Sequence, residues 1–295
     1  MRNILIIIGV AVFMLLMVAC NDSQAEGDSL PEEDNVEEPT DEENNDNEEP
    51  DKTEENNDDK SESNEENKED EEQKESQESQ EEENQKPQYY MNENGFFKPI
   101  DDADSKVVLL TIDDAPDGHT LEMAETLKEY DAPAIFFVNG HFMDTEEEKE
   151  IVRKIHDMGF YIGNHTYSHV NLREVSKEEQ KEEILKLNGI IEEVIGAKPT
   201  YFRPPFGANT DYARDFVKDQ GMYWMNWSFG YDYFNDYMEA DALEEIMLTT
   251  NLLVDGANIL MHDREWTNEA LPNILEGYQE QGFDFLDPAL IITDE

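Results

Sequence analysis

The chain has one cysteine in 295 residues, and its 21 lysines and arginines face 74 aspartates and glutamates. Without a second thiol, no disulfide can form within the chain. Cations this scarce, at a formal net charge of −53, argue against nucleic acid or an anionic membrane face as a partner. Such acidity often accompanies saline or alkaline surroundings. Long hydrophobic runs are also missing, apart from Ile4 to Val18 behind Arg2. That run is short for a membrane span and has the layout of an export signal.

The run ends at Leu16-Met17-Val18-Ala19-Cys20, which resembles a bacterial lipoprotein cleavage box, with Met17 where Leu is usual. The resemblance implies a lipoprotein-type signal peptide over residues 1–20, lipidation of Cys20, and attachment to the membrane through a lipid anchor only. An uncleaved anchor helix or a plain secretory signal are the alternatives. Residues 21–90 then carry about half of the net charge, with hardly an aliphatic side chain after Val36. Such a segment cannot offset its ordering entropy by burial, so a disordered, self-repelling acidic linker is expected. It is either a tether or low-complexity filler. As a tether of roughly seventy residues it would reach roughly 45 Å, enough to hold a domain within the inner cell wall.

Residues 91–295 have globular composition and suffice for one sizeable domain. Strand signals at 107–112, 134–138, 160–163, 200–202, 223–228, 258–261 and 283–286 alternate with helical ones. Ser176 and Glu179 form a capping box ahead of a long helix to Ile195. Repeated strand–helix units predict a parallel sheet, and about seven strands predict a distorted (β/α) barrel, with an open doubly wound sheet as the alternative. In either fold the chemistry belongs at the C-terminal ends of the strands.

Polar groups collect at those ends. Val107–Ile112 is stopped by Asp113 and Asp114, two adjacent carboxylates that repel each other unless a cation sits nearby. On an extended strand they should face opposite sides and do different jobs. The third strand leads to His165 and His169, four apart, a spacing that metal sites use. Arg203 stands between the fourth strand and a Pro-Pro turn, able to pair bidentately with a carboxylate. The sixth strand delivers His262. Each alone reads as a satisfied polar residue at a strand terminus; all of them at corresponding ends do not.

Thr-Ile-Asp-Asp-Ala-Pro, His-x-x-x-His, Arg-x-Pro-Phe-Gly and Leu-x-His, in this order, resemble the polysaccharide deacetylases of carbohydrate esterase family 4 over roughly residues 105–290. The resemblance implies a distorted barrel and hydrolysis of the N-acetyl group of an acetamido sugar. It implies Asp114, His165 and His169 as ligands of a divalent metal, zinc first, with cobalt or nickel as alternatives. It implies Asp113 as general base, Arg203 as its partner and His262 as general acid. Phe206, Trp227, Tyr231 and Leu260 would meet the substrate, with the Phe206 backbone N–H serving the oxyanion. Two departures stand out. Ala115 replaces the usual Gly, at a cost of about 1 kcal/mol if φ there is positive. The Asp-Trp pair that tunes the acid is blurred, so Asp232, followed by Tyr233, stands in, with Asp263 as the alternative. His119, His141 and His156 read mainly as ordinary surface histidines, although His119 and His141 follow strand ends and could line the cleft.

The leading expectation is a monomeric, lipid-anchored N-deacetylase acting on peptidoglycan at the outer face of the cell membrane. The alternatives are a deacetylase of poly-N-acetylglucosamine exopolysaccharide or chitooligosaccharide, an O-acetyl esterase on xylan, and a catalytically silent glycan-binding lipoprotein.

Overall fold

The structure, a computed structural model, describes residues 86–293. Cys20, the expected signal peptide and nearly all of the expected linker lie outside these residues. The fold begins with a hairpin that the sequence did not disclose, β1 (Tyr89–Met91) antiparallel to β2 (Phe97–Pro99). Its first strand begins slightly before the expected boundary at 91.

Strands and helices then alternate: β3 (Val107–Ala115), α1 (Thr120–Glu129), β4 (Ala134–Val138), α2 (Glu146–Asp157), β5 (Tyr161–Asn164) and α3 (Lys177–Ile195). They continue with β6 (Tyr201–Phe202), α4 (Asp211–Asp219), β7 (Tyr223–Trp224), α5 (Ala240–Thr249), β8 (Ala257–His262), α6 (Glu265–Glu280) and β9 (Asp284–Phe285). Local chemistry sets several of the starts. The Ser176–Glu179 capping box opens α3, a second box at Thr145 and Glu148 opens α2, and Thr210 caps α4.

β3 through β9 form one parallel seven-stranded sheet in the order β7-β6-β5-β4-β3-β8, with β9 pairing the start of β3. The expected strand at 223–228 is shorter than its apolar run suggests, because the chain leaves the sheet after Trp224. It crosses to the far edge, where Phe229 bridges Ile259 of β8. That bridge closes the curled sheet into the distorted barrel.

β3 organises two cores. Val108, Leu110 and Ile112 face outward into the layer of helices, in one cluster with Phe136, Ile155, Leu187 and Leu271. Val107 and Leu109 face the barrel interior with Ile135, Phe137, Tyr201 and Leu286, and Tyr89 and Phe97 of the hairpin close its floor. Each such aliphatic side chain contributes about 1.5–3 kcal/mol when fully buried. Along the inward face the chemistry changes from Val107 and Leu109 to Thr111 and Asp113, so the interior turns polar at its C-terminal mouth.

The strict alternation fails one residue later. The register of β3 against β4 shifts between Ile112 and Ala115, and Asp114 has φ 63°. Ala115 takes the outward place among the helix-facing side chains, and Asp114 becomes the extra residue of a bulge. The two carboxylates consequently do not face opposite sides; both enter the same cavity. Positive φ falls on Asp114, so the Ala in place of Gly next to it carries no left-handed strain.

Candidate active site

A cavity of about 470 Å³ opens at the C-terminal mouth of the barrel, and its wall includes Asp113, Asp114, His165, His169 and His262. Asp113 is 2% exposed and accepts a 2.7 Å hydrogen bond from Arg203 Nη1, which also donates to Thr111 Oγ1. The Arg203 guanidinium is fully buried on the Phe137 ring, and its Nη2 donates to the Asn226 carbonyl at 3.0 Å. This buried arginine was read in the sequence as a carboxylate partner, and it is paired with Asp113 here. Burial pushes the Asp113 carboxyl above the usual carboxylate range, although the charges of Arg203 and His262 pull the other way.

Asp114, His165 and His169 bring one ligand atom each to within 4.8 Å of one another. The histidines meet through a tight turn rather than a helix, with Thr166 at φ 67° and His169 at φ 54°. His165 Nδ1 lies 2.7 Å from the Arg203 carbonyl, which fixes Nδ1 as the donor and leaves Nε2 with a lone pair, 3.5 Å from Asp113 Oδ2 and 3.9 Å from Asp114 Oδ1. Burial, followed by the neighbouring His169, lowers the His165 pKa to about 3; burial also lowers that of His169, against the pull of Asp114 and Asp113. Both imidazoles are therefore neutral near pH 7, as a metal ligand must be. Asp114 Oδ1 is buried with no hydrogen-bond partner among the described residues, 3.4 Å from His169 Nε2 and 3.9 Å from His165 Nε2. An orphaned buried carboxylate oxygen beside two neutral imidazoles fits a divalent cation.

Across the cavity, His262 Nδ1 lies 2.8 Å from Asp232 Oδ1, and Asp232 Oδ2 accepts from Thr267 Oγ1 at 2.9 Å. Burial alone would lower the His262 pKa. The charge and hydrogen bond of Asp232, with Asp113 and Asp114 adding, leave it raised above its ordinary value. Asp263, the alternative partner, is turned away. Its carboxylate accepts the backbone N–H groups of Asp117 (2.7 Å), Gly118 (3.1 Å) and His119 (2.6 Å), and the Thr120 hydroxyl. It thus ties the β3–α1 loop, and the first side chain of α1, to the end of β8.

Phe206, Trp227 and Leu260 line the cavity. Phe206 is 66% exposed and packs edge-on against His169 at 4.7 Å between ring centres. Tyr231 does not line it: its ring packs on the helix-facing core and its hydroxyl shares a 2.7 Å hydrogen bond with Thr250 Oγ1. The neighbouring Tyr233 takes that wall instead, edge-on to His262 at 5.6 Å. His119 and His141 stay outside the cavity, beside Glu122 and the Tyr167 carbonyl. His156 is on α2.

Sequence reading missed Arg264 and Trp266, which also form the wall. Arg264 Nη2 donates to Asp114 Oδ2 at 2.7 Å, and its Nη1 pairs with Asp117. Trp266 Nε1 donates to the Asp232 carbonyl at 2.8 Å. The only early signal for either was its place just after His262.

Residues 101–225 match the family described as polysaccharide deacetylase. The chain is 31% identical over 189 residues to a peptidoglycan-N-acetylglucosamine deacetylase of Bacillus cereus, covering 61% of this chain and 68% of that protein. It is 31% identical over 188 residues to the Bacillus subtilis peptidoglycan-N-acetylmuramic acid deacetylase PdaC, covering 63% of this chain and 38% of that protein. Among solved structures it is similar to a family 4 carbohydrate esterase pseudoenzyme from Bacillus anthracis, with a TM-score of 0.57 at 30% identity, covering 63% of this chain and 64% of that one.

Proposed function

The chain belongs to the polysaccharide deacetylase family, and from that premise we propose that it hydrolyses the N-acetyl group of an acetamido-sugar polymer, peptidoglycan first among them. One observation carries the reading. The ligand trio, the Arg203-paired carboxylate and the Asp232-paired imidazole all face a single cavity. That completeness matters, because a similar fold also occurs in a pseudoenzyme.

Asp114, His165 and His169 would hold the divalent cation, zinc being the ion that one carboxylate and two imidazoles suit best. When bound, it would polarise the acetyl carbonyl and make water acidic enough to attack near neutral pH. Asp113 takes the proton of the attacking water. Its Oδ1 is occupied by Arg203, so Oδ2 is the accepting atom, and its raised pKa strengthens it as a base. His262 stands opposite as the acid. Asp232 holds Nδ1, which leaves Nε2–H to protonate the departing sugar nitrogen as the C–N bond breaks. Water is consumed, and acetate and an amino sugar leave. The apolar wall of Trp227 and Leu260 suits the acetyl methyl group, and exposed Phe206 and Tyr233 offer ring faces to sugar.

Both named relatives are peptidoglycan deacetylases, which supports the cell wall as the place of work; the box over residues 16–20 supports lipid anchoring at Cys20 as the means of staying there. Among the described residues, no helix is long and apolar enough to cross a membrane. The test is to give the purified full-length chain sacculi, poly-N-acetylglucosamine and acetylated chitooligosaccharides in parallel, and to quantify acetate and new amines. Release from sacculi that stops on chelation is the expected result. Release from the exopolysaccharide with none from sacculi reverses the substrate assignment, and no release from any glycan makes the chain a binder.

A further inference from the structure

We infer that Arg264 is a positioning residue that confines Asp114 to one-oxygen coordination of the cation; this deepens the proposed function and rests on it. The two oxygens of Asp114 have different surroundings. Oδ2 accepts a 2.7 Å hydrogen bond from Arg264 Nη2, whereas Oδ1 has no hydrogen-bond partner among the described residues and faces His165 and His169. A carboxylate with both oxygens free can grip a cation with two atoms or rotate between arrangements. With one oxygen tied, it offers one atom in one direction. The protein would then supply three ligand atoms to a cation held there, one each from Asp114, His165 and His169.

The tie is itself anchored. Arg264 Nη1 pairs with Asp117 Oδ2 and donates to the Asp263 carbonyl at 3.0 Å, so the guanidinium plane is held from two directions. Two effects compete on a bound cation. The guanidinium charge repels it, while the fixed carboxylate attracts it at no ordering cost. Arg264 bridges two carboxylates, Asp114 and Asp117, which compensate its charge. The orienting effect therefore dominates, and loss of the arginine weakens metal binding.

The test titrates the full-length chain with zinc against a chromogenic chelator, alongside thermal denaturation to confirm folding. Arg264→Ala should bind zinc about 10–100-fold more weakly than wild type, the usual consequence of losing a partner that orients a ligand. Arg264→Lys, which keeps the charge without the planar fork, should recover little of this. Millimolar guanidinium added to Arg264→Ala should recover part of it. Asp117→Asn loosens the anchor but spares the Asp114 contact, so its affinity should fall clearly less than that of Arg264→Ala. Should Arg264→Ala fail to fold, Arg264→Gln gives the same readout. Unchanged or tighter zinc binding by the folded arginine variants overturns the inference, as does an equal loss in Asp117→Asn, which would mark a loop support only. In both cases the deacetylase reading stands. Wild-type protein that takes up no metal sinks both.

Discussion

Asp113 and Asp114 are neighbours in sequence with unlike partners, and this separates their substitutions. Asp113→Asn keeps the ligand trio, so it should retain a full complement of zinc by elemental analysis and lose turnover. Asp114→Asn removes the orphaned oxygen and should lose both. Arg203→Met tests the buried pair. It strands a buried carboxylate, which costs about 3–5 kcal/mol in urea denaturation. The Arg203 charge holds the Asp113 pKa down, so its removal raises that pKa further and moves the acid limb of activity to higher pH. Most of these residues were legible in sequence, because each ends an apolar strand where a polar residue needs a reason. Arg264 was not: its bond to Asp114 spans 150 positions, and no local pattern marks it.

Three consecutive residues at the end of β8 tie three parts of the barrel together. His262 meets Asp232, Asp263 holds the β3–α1 loop, and Arg264 meets Asp114 and Asp117. The two aspartates should respond oppositely. Asp232→Asn removes the charge that keeps the His262 pKa raised, so burial lowers it and the alkaline limb of activity falls to lower pH. Asp263→Ala leaves that limb in place and instead costs about 1–3 kcal/mol of stability, since the N–H donors of the β3–α1 loop lose their acceptor. An alkaline limb that moves with Asp263→Ala would reverse the two roles. α3 was legible because the Ser176–Glu179 capping box that opens it is local. The bulge that brings Asp114 inward was hidden, since it depends on pairing with β4, which no local pattern records.

At the scale of the molecule, cation binding and folding are linked. Zinc at a hundredfold excess over its dissociation constant should stabilise the chain by about 2.7 kcal/mol, seen as a higher melting temperature that chelator reverses. His165→Ala should abolish that gain. The barrel itself was countable from the strand signals, but its closure through Phe229 was not, because a single bridge leaves no periodic trace. Nor was the hairpin, whose strands are three residues each. β1 pairs beyond its hairpin with Ile291, and Phe97 of β2 donates to the Gly256 carbonyl just before β8. A side chain at Gly256 would meet the Phe97 carbonyl at 1.9 Å, so Gly256→Val should lift the hairpin and expose the barrel floor to protease. The bridge from Tyr89 to Ile291 also sets the two ends of the fold side by side at the strand starts, away from the cavity at the strand ends. In evolutionary terms that makes the domain a cassette: a sequence grafted at either end departs from the rear, and recombination can exchange such additions without touching the chemistry in front.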